Sequence, residues 1–405
     1  MSGIPTAKRL GLLASLYVAQ GLPYGFFTQA LPVRMREQGV GLGAIGLTAL
    51  LALPWAFKFL VAPWVDRHGS RRAWIVPLQA GSALTLLAVS FVAPEDSWPL
   101  VLGAVFMTNL LAATQDVATD GMAVDLLPAK ERGLGNGVQV AGYRAGMVIG
   151  GGVLLGVLGS AGWGLAVRLL ALALVVSTLP ALFAREAARP TVRSSPGVGD
   201  LLASLRRPHL AGWLVLLSVY KLGDALASSM VRPLLVDQGH DAAALGRILG
   251  GVGFGGGLAG ALLGGWLIGQ LGRQKALLGF GVLTAASILG YAVLAYTPLN
   301  LTAANPSAIP LLYTLVLFEH LASGMATAAL FTCMMDACRE EHAATDYTLQ
   351  ACVVVIATGF AAALSGFVAE GLGYVGLFVV SSLLTLAGTA LVARRGALPE
   401  AWRTP

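Results

Sequence analysis

Asp66-Arg67-His68-Gly69-Ser70-Arg71-Arg72 directly follows the second long apolar run of this 405-residue chain. About 200 residues later comes a weakened copy, Gly265-Trp266-Leu267-Ile268-Gly269-Gln270-Leu271-Gly272-Arg273-Gln274-Lys275. The first copy reads D-R-x-G-x-R-R. The second keeps Gly265, Gly272, Arg273 and Lys275 but has Gly269 where Asp66 stood. A short charged turn at the inner end of an even-numbered apolar run, present twice, marks a chain built from two similar halves.

Composition sets the solvent. The chain is 56% hydrophobic and 11% charged, with mean hydropathy +0.76, whereas soluble domains carry roughly 25% charge. The bilayer is therefore the environment, and crossing its ~30 Å core takes about 20 apolar residues per helix. Backbone groups in lipid must pair internally, which leaves helices or a closed barrel; the alternating ~10-residue strands of a barrel are absent. Spans are predicted near 10–33, 44–64, 73–93, 99–122, 135–158, 163–183, 209–231, 244–268, 276–297, 309–335, 347–369 and 372–393. Residues 1–9 resemble a signal n-region, but the apolar run behind them is too long and lacks a small-residue cleavage site, so it is read as the first helix.

The expected architecture is an all-α polytopic membrane protein of twelve helices in two pseudo-symmetric six-helix halves. The halves run over 1–183 and 209–405, joined by a cytoplasmic linker at 184–208 that holds Arg185, Arg189, Arg193, Arg206, Arg207, Pro190 and Pro196. Of 26 Lys and Arg, about 18 fall on the side of the termini, which predicts both termini and the linker in the cytoplasm. The net charge of +6 is thus a topology signal and not a nucleic-acid footprint. The repeat extends beyond the loop. Glu37-Gln38-Gly39 with Ala44-Ile45-Gly46 matches Asp237-Gln238-Gly239 with Ala244-Leu245-Gly246, and Asp125 and Gln139 match Asp336 and Gln350. Such repeats build transporter folds, with the site near the midplane at the repeat interface.

Glycine adds a packing expectation. Gly142, Gly146 and Gly150 form a four-residue ridge in the fifth span, and Gly256, Gly260 and Gly264 do so in the eighth. Small ridges let helices approach closely, and these two are predicted to meet each other, against packing within each half. Gly251-Val-Gly253-Phe-Gly255-Gly256 spells G-x-G-x-x-G, but no strand precedes it, so no dinucleotide site follows. Cys333, Cys338 and Cys352 show neither disulfide nor metal spacing. His68, His209, His240, His320 and His342 are scattered, so no metal or catalytic constellation is expected and the chain does not read as an enzyme. No cofactor is expected.

Ionisable groups at membrane depth are functional by default. Arg144 lies deep in the fifth span and is expected to hold a substrate anion or act in a relay, against the alternative of a buried structural ion pair. Lys58 either binds an anion or snorkels to the inner edge; Arg168 is expected to snorkel outward. Lys221 and Asp224, three residues apart, are either an internal salt bridge or a pair broken and remade. Asn109, Asp116 and Asp120 line one face of the fourth span beside Gln115, with Asp116 either a proton carrier or a structural clasp to Arg67 or Arg71, and Asp120 as a clasp to the loop arginines. Glu319 and His320, adjacent in the tenth span, point about 100° apart, so each is expected to meet another helix; His320 either suits proton coupling or is a buried histidine hydrogen-bonded for packing. Gln20, Tyr24 and Gln29 can line a cavity, beside Gly21, Pro23 and Gly25, which suit a helix able to bend.

The loop has its own physical role. Gly69 allows the tight turn, Asp66 can accept from the N-terminus of a neighbouring helix, and Arg67, Arg71 and Arg72 can pair with inner-end carboxylates. Such a clasp is a gate, or the arginines are plain positive-inside anchors. If it is a gate, its strength lies in the first half with Asp120 or Asp125 as partners, and charge reversal at Asp66 impairs cycling more than any single change at 269–275.

Several stretches together carry a family resemblance. Gln115-Asp116-Val117-Ala118-Thr119-Asp120, Val124-Asp125-Leu126-Leu127-Pro128, Glu131-Arg132-Gly133 and Gly142-Tyr143-Arg144-Ala145-Gly146-Met147 resemble the AmpG-like permeases of the major facilitator superfamily. Phe57-Lys58-Phe59, Ala62-Pro63 and Asp66-Arg67 fit the same group. The compact length, and the opening Tyr17-Val18-Ala19-Gln20-Gly21-Leu22-Pro23-Tyr24-Gly25-Phe26-Phe27, look more like the RhtX/FptX siderophore permeases within it. The resemblance implies a monomeric, proton-coupled importer of the bacterial inner membrane working by alternating access. Its expected solute is a siderophore; the alternative is an anhydro-muropeptide, and a remoter one is a membrane sensor that transports nothing. Lys58, Asp116, Asp120, Tyr143 and Arg144 carry over as site residues, with Lys221, Gln20, Tyr24, Asn109 and Gln115 beside them, and with Asp224, Glu319 and His320 as further proton carriers. Partners are then the solute, protons and the lipid bilayer, with no nucleic acid.

Overall fold

The structure, a computed structural model, describes residues 5–40, 48–184, 210–240, 242–296 and 308–393. Within them it is helical, with no strand. The helices are α1 (Thr6–Gly25), α2 (Leu31–Glu37), α3 (Leu53–Phe57), α4 (Ala62–Arg67), α5 (Arg71–Val89), α6 (Trp98–Leu126), α7 (Arg132–Val148) and α8 (Leu154–Phe183). They continue as α9 (Leu210–Asp237), α10 (Ala242–Leu245), α11 (Phe254–Leu271), α12 (Arg273–Tyr296), α13 (Ala308–Asp336) and α14 (Ala343–Ala393). Apart from Ala184, the expected linker lies outside the described residues, as do Ala44, Ile45 and Gly46.

Nine described stretches are long and apolar enough to cross a bilayer. Two are double. Residues Arg132–Phe183 and Glu340–Ala393 run for 52 and 54 residues, and even the shorter as one helix would measure about 78 Å, more than twice a ~30 Å core. Each breaks at a glycine outside helical space, Gly162 at φ 79° and Gly373 at φ 68°. Gly162 falls between two predicted spans, whereas Gly373 lies just inside the predicted start of the last one, 372–393. With the interrupted stretch 48–64 as a further crossing, twelve spans result among the described residues.

That segment departs from the expected continuous helix. It runs as a 3₁₀ turn Thr48–Ala52, α3, a second 3₁₀ turn Lys58–Leu60, and α4. Pro54 and Pro63 stand at the first turns of α3 and α4, where a missing N–H is tolerated but a continuing helix is not. Freed backbone groups find other partners: the Leu51 carbonyl accepts from Asn109 Nδ2 at 2.9 Å, and the Trp55 carbonyl from Cys352 Sγ at 3.7 Å.

The chain divides into two compact units. Unit 1 comprises 1–128, 141–204 and 337–352; unit 2 comprises 129–140, 205–336 and 353–405. Relative to the sequence halves, the starts of α7 and α14 change places. Unit 1 is cored by Leu22, Phe26, Phe27, Leu31 and Trp163, with a second cluster around Leu16, Val65, Ile75, Val117 and Ala344. The core of unit 2 is built on Leu226, Val231, Tyr291, Leu312 and Phe378. Outward faces carry large apolar side chains, among them Phe183, 82% exposed, and Phe367, 73% exposed. Water would penalise such faces and lipid does not.

The two glycine ridges meet other partners than expected. A methyl at Gly146 or Gly150 would overlap the α1 backbone at Val18 and Leu22, and one at Gly260 or Gly264 would collide with α13 at Leu321 and Met325. Each ridge therefore seats the nearest helix of its own unit, and its close approach is already consumed there. Within unit 2, the fifth and eighth spans do touch, through different glycines: Gly133 and Gly265 lie backbone to backbone, with Gly137 against Ala261.

Candidate functional site

Unit 1 carries a buried charge cluster. The break after α3 puts Lys58 in a short 3₁₀ turn facing α6, where it is 7% exposed. Its Nζ hydrogen-bonds Asp116 and lies 3.6 Å from Asp120 Oδ2. The other Asp120 oxygen accepts from the Tyr17 hydroxyl at 3.0 Å. A four-residue spacing, about one helical turn, brings Asp116 and Asp120 onto one face of α6, so one ammonium serves two carboxylates. Gln115 is turned to its own helix, with Nε2 on Thr119 Oγ1 at 2.7 Å.

Unit 1 also holds a group of aromatic rings in contact. Tyr24 meets Trp55 and Tyr143, each at 5.7 Å between centroids, and Phe27 at 5.1 Å. Gln20, one turn before Tyr24, is 3% exposed, and its Nε2 has no hydrogen-bond partner among the described residues. Arg144 is half-buried on α7 beside Tyr143. Arg168, expected to snorkel outward, donates to Ser90 Oγ at 3.3 Å and lies 4.6 Å over the Phe91 ring.

Unit 2 has its own polar cluster. Lys221 and Asp224 pair on α9. Ser323 on α13 donates to Asp224 at 2.9 Å, and Lys221 reaches Thr327 at 3.2 Å. Along the same α13, His320 Nδ1 lies 2.6 Å from Glu319 Oε2. The expectation that these neighbours would look apart is corrected here, because both side chains are long enough to curl together. Each also meets another helix: Tyr291 on α12 donates to Glu319 at 3.2 Å, and the His320 ring lies where a Gly253 side chain would sit.

The charged loop sits in unit 1. Gly69 turns at φ 69°. Asp66 accepts from the backbone N–H of Ala344 at 3.1 Å, from that of Thr345 at 2.7 Å and from the Thr345 hydroxyl at 2.6 Å. It thus occupies the positive end of α14. Arg71, fully buried, donates to Asp66 at 2.8 Å and to Asp125 at 3.1 Å. Burial pushes the Asp66 carboxyl up, but Arg71 and the Thr345 bonds outweigh it and hold it below its ordinary range. Arg72 is exposed and Arg67 half-buried. In unit 2, Asp336 accepts from Arg132 at 2.8 Å and from Arg273 at 2.7 Å, while Arg273 also reaches the Ala129 carbonyl at 2.9 Å.

Sequence reasoning passed over Tyr17, Trp55, Thr345 and the Arg132–Asp336–Arg273 set. Tyr17 could have been found, since it precedes Gln20 and Tyr24 by three and seven residues on the same helical face. Asp336 was marked as the repeat partner of Asp125, yet nothing local showed which arginines it would meet.

Helices of spanning length with mutually paired charges buried inside them define a polytopic membrane transporter of small molecules. Likeness to known proteins narrows this. The family model described as "Major Facilitator Superfamily" matches residues 13–351. The anhydromuropeptide permease of Escherichia coli K12 is 30% identical over 397 residues, covering 95% of this chain and 79% of that protein. A Rickettsia conorii protein, provisionally named transporter AmpG 4, is 23% identical, covering 93% and 94%. The solved E. coli fucose:proton symporter FucP superposes with a TM-score of 0.71 at 15% identity, covering 95% and 97%. The chain belongs to the major facilitator superfamily, in its AmpG-like group.

Proposed function

We propose that this transporter imports anhydromuropeptides, the amino-sugar–peptide fragments of the cell wall, across a bacterial inner membrane by proton symport and alternating access. The observation that carries the reading is the 30% identity to the E. coli permease across 95% of the chain. Siderophore import, the first expectation from the opening residues, finds no support in these likenesses, and its alternative takes its place. The basic-residue bias supports termini on the cytoplasmic side.

The proton is assigned to the Asp116–Asp120 pair. Lys58 can neutralise only one of the two carboxylates, and an uncompensated buried carboxylate is costly, so a bound proton removes the remaining charge. Anionic groups of the substrate are assigned to Arg144 of unit 1. The Asp66 contacts to α14 and the Asp336 contacts to Arg132 and Arg273 are assigned as clasps that open during the cycle.

Uptake in cells lacking their own permeases tests the reading. Cells expressing this chain are offered labelled anhydromuropeptide or labelled ferric siderophore, with and without a protonophore. Protonophore-sensitive accumulation of the muropeptide alone is expected. Accumulation of the siderophore alone sinks the proposal.

A further inference from the structure

The charge cluster leaves its aromatic neighbours without a role. Phe26 and Phe27 are packed away, 2% and 4% exposed, as rings serving only as core should be. Tyr24 is in ring contact with both Trp55 and Tyr143, yet all three remain half-buried. Next to them Gln20 is almost fully buried with an amide nitrogen that donates to nothing among the described residues, a condition native structures rarely leave unexplained. In unit 2 the described ring contact, Tyr291 with Phe378, is fully buried. Half-open rings one helical turn from an unused buried donor are the ingredients of a small-molecule subsite.

We propose that Tyr24, Trp55, Tyr143 and the Gln20 amide form a subsite in unit 1 for an N-acetylated pyranose ring, the sugar end of the substrate. This assignment rests on the muropeptide reading above. One face of a pyranose presents C–H bonds, which are slightly positive and apolar, and aromatic faces are negative and apolar. Its acetamido carbonyl is a strong acceptor, and the Gln20 N–H supplies the donor that the protein leaves unused. A peptide stem offers no such ring. Trp55 precedes Lys58 by three residues, so a sugar on Trp55 covers the approach to the charge cluster and places binding next to the proton.

Calorimetric titration of the full-length purified protein tests this with three ligands: the N-acetylglucosaminyl-anhydro-N-acetylmuramic acid disaccharide, the same disaccharide bearing its peptide, and the free peptide. The disaccharide is expected to bind without its peptide, and the free peptide to bind far more weakly. Trp55→Leu and Gln20→Ala are each expected to weaken the disaccharide by about tenfold, while Trp55→Phe, which keeps an aromatic face, loses less than about threefold. If Trp55→Leu fails to insert, Gln20→Ala and Trp55→Phe decide. Unchanged disaccharide affinity in Gln20→Ala overturns the subsite and leaves muropeptide import standing. So does peptide binding as tight as that of the complete ligand. If wild-type protein binds none of the muropeptide ligands, the muropeptide reading falls and the subsite with it.

Discussion

Lys58 shows how a single residue changes meaning once its surroundings are seen. In the sequence it is one cation among apolar residues, open to anion binding or snorkelling. In the structure it is buried against Asp116 and Asp120. Lys58→Ala leaves two facing carboxylates without a cation, and breaking a buried pair costs about 3–5 kcal/mol. Its melting temperature in detergent should fall accordingly, and Lys58→Ala/Asp116→Asn should recover much of the loss. A double variant no more stable than the single one would show that the cluster is not held by charge. Asp66 makes a pH prediction. Its carboxyl is held below the ordinary value of 3.8, so its contribution to stability is fully present above that value and is lost as pH falls through the lowered one. Melting curves of wild type and Asp66→Asn should therefore stay separated at neutral pH and converge on acidification below about 4. A gap that widens in acid would contradict the assigned charge state.

Elements were legible where periodicity and turn chemistry agree, and obscure where backbone breaks inside a span. The break at Gly162 falls between predicted helices, and that at Gly373 lies within two residues of a predicted helix start. Both glycines adopt positive φ with extended ψ, at 175° and 172°, a region that side chains avoid at about 1–3 kcal/mol. Gly162→Ala should destabilise by that amount. Gly156→Ala, inside α8 with nothing within 4 Å of the added methyl, should be neutral or slightly stabilising. Equal effects on melting would mean that the Gly162 kink is not enforced. The interruption between Thr48 and Arg67 was invisible because hydropathy averages over it. Its two prolines permitted a break, but the partners that satisfy the freed carbonyls, Asn109 and Cys352, lie 58 and 297 residues away. The aromatic subsite was half-legible for the same reason: Gln20, Tyr24 and Tyr143 stood out, whereas Trp55 gained meaning only from contacts across helices.

At the scale of the molecule, the repeat first seen in the loop is written into the backbone. The six described glycines with positive φ fall into three pairs, Gly39 with Gly239, Gly69 with Gly272, and Gly162 with Gly373. Their offsets of about 200 to 211 follow the drift of the sequence repeat. The copies have diverged in chemistry while keeping their turns. Asp66 holds four donors, including two backbone N–H groups of α14; Gly269 has no side chain, and unit 2 relies on Asp336 with Arg132 and Arg273. Asp66→Lys is thus expected to reduce uptake more than Arg273→Ala, with both proteins reaching the membrane in normal amount. The reverse order would place the dominant clasp in unit 2. The account stands most directly on the coupling of a muropeptide to the Asp116–Asp120 pair. Proteoliposomes holding wild type or Asp116→Asn/Asp120→Asn protein can be loaded with a pH-sensitive dye and given external anhydromuropeptide. Wild-type vesicles should acidify as labelled muropeptide accumulates, and the double variant should exchange muropeptide without moving protons. Muropeptide accumulation with no proton entry in wild type, or unchanged proton entry in the double variant, would contradict it.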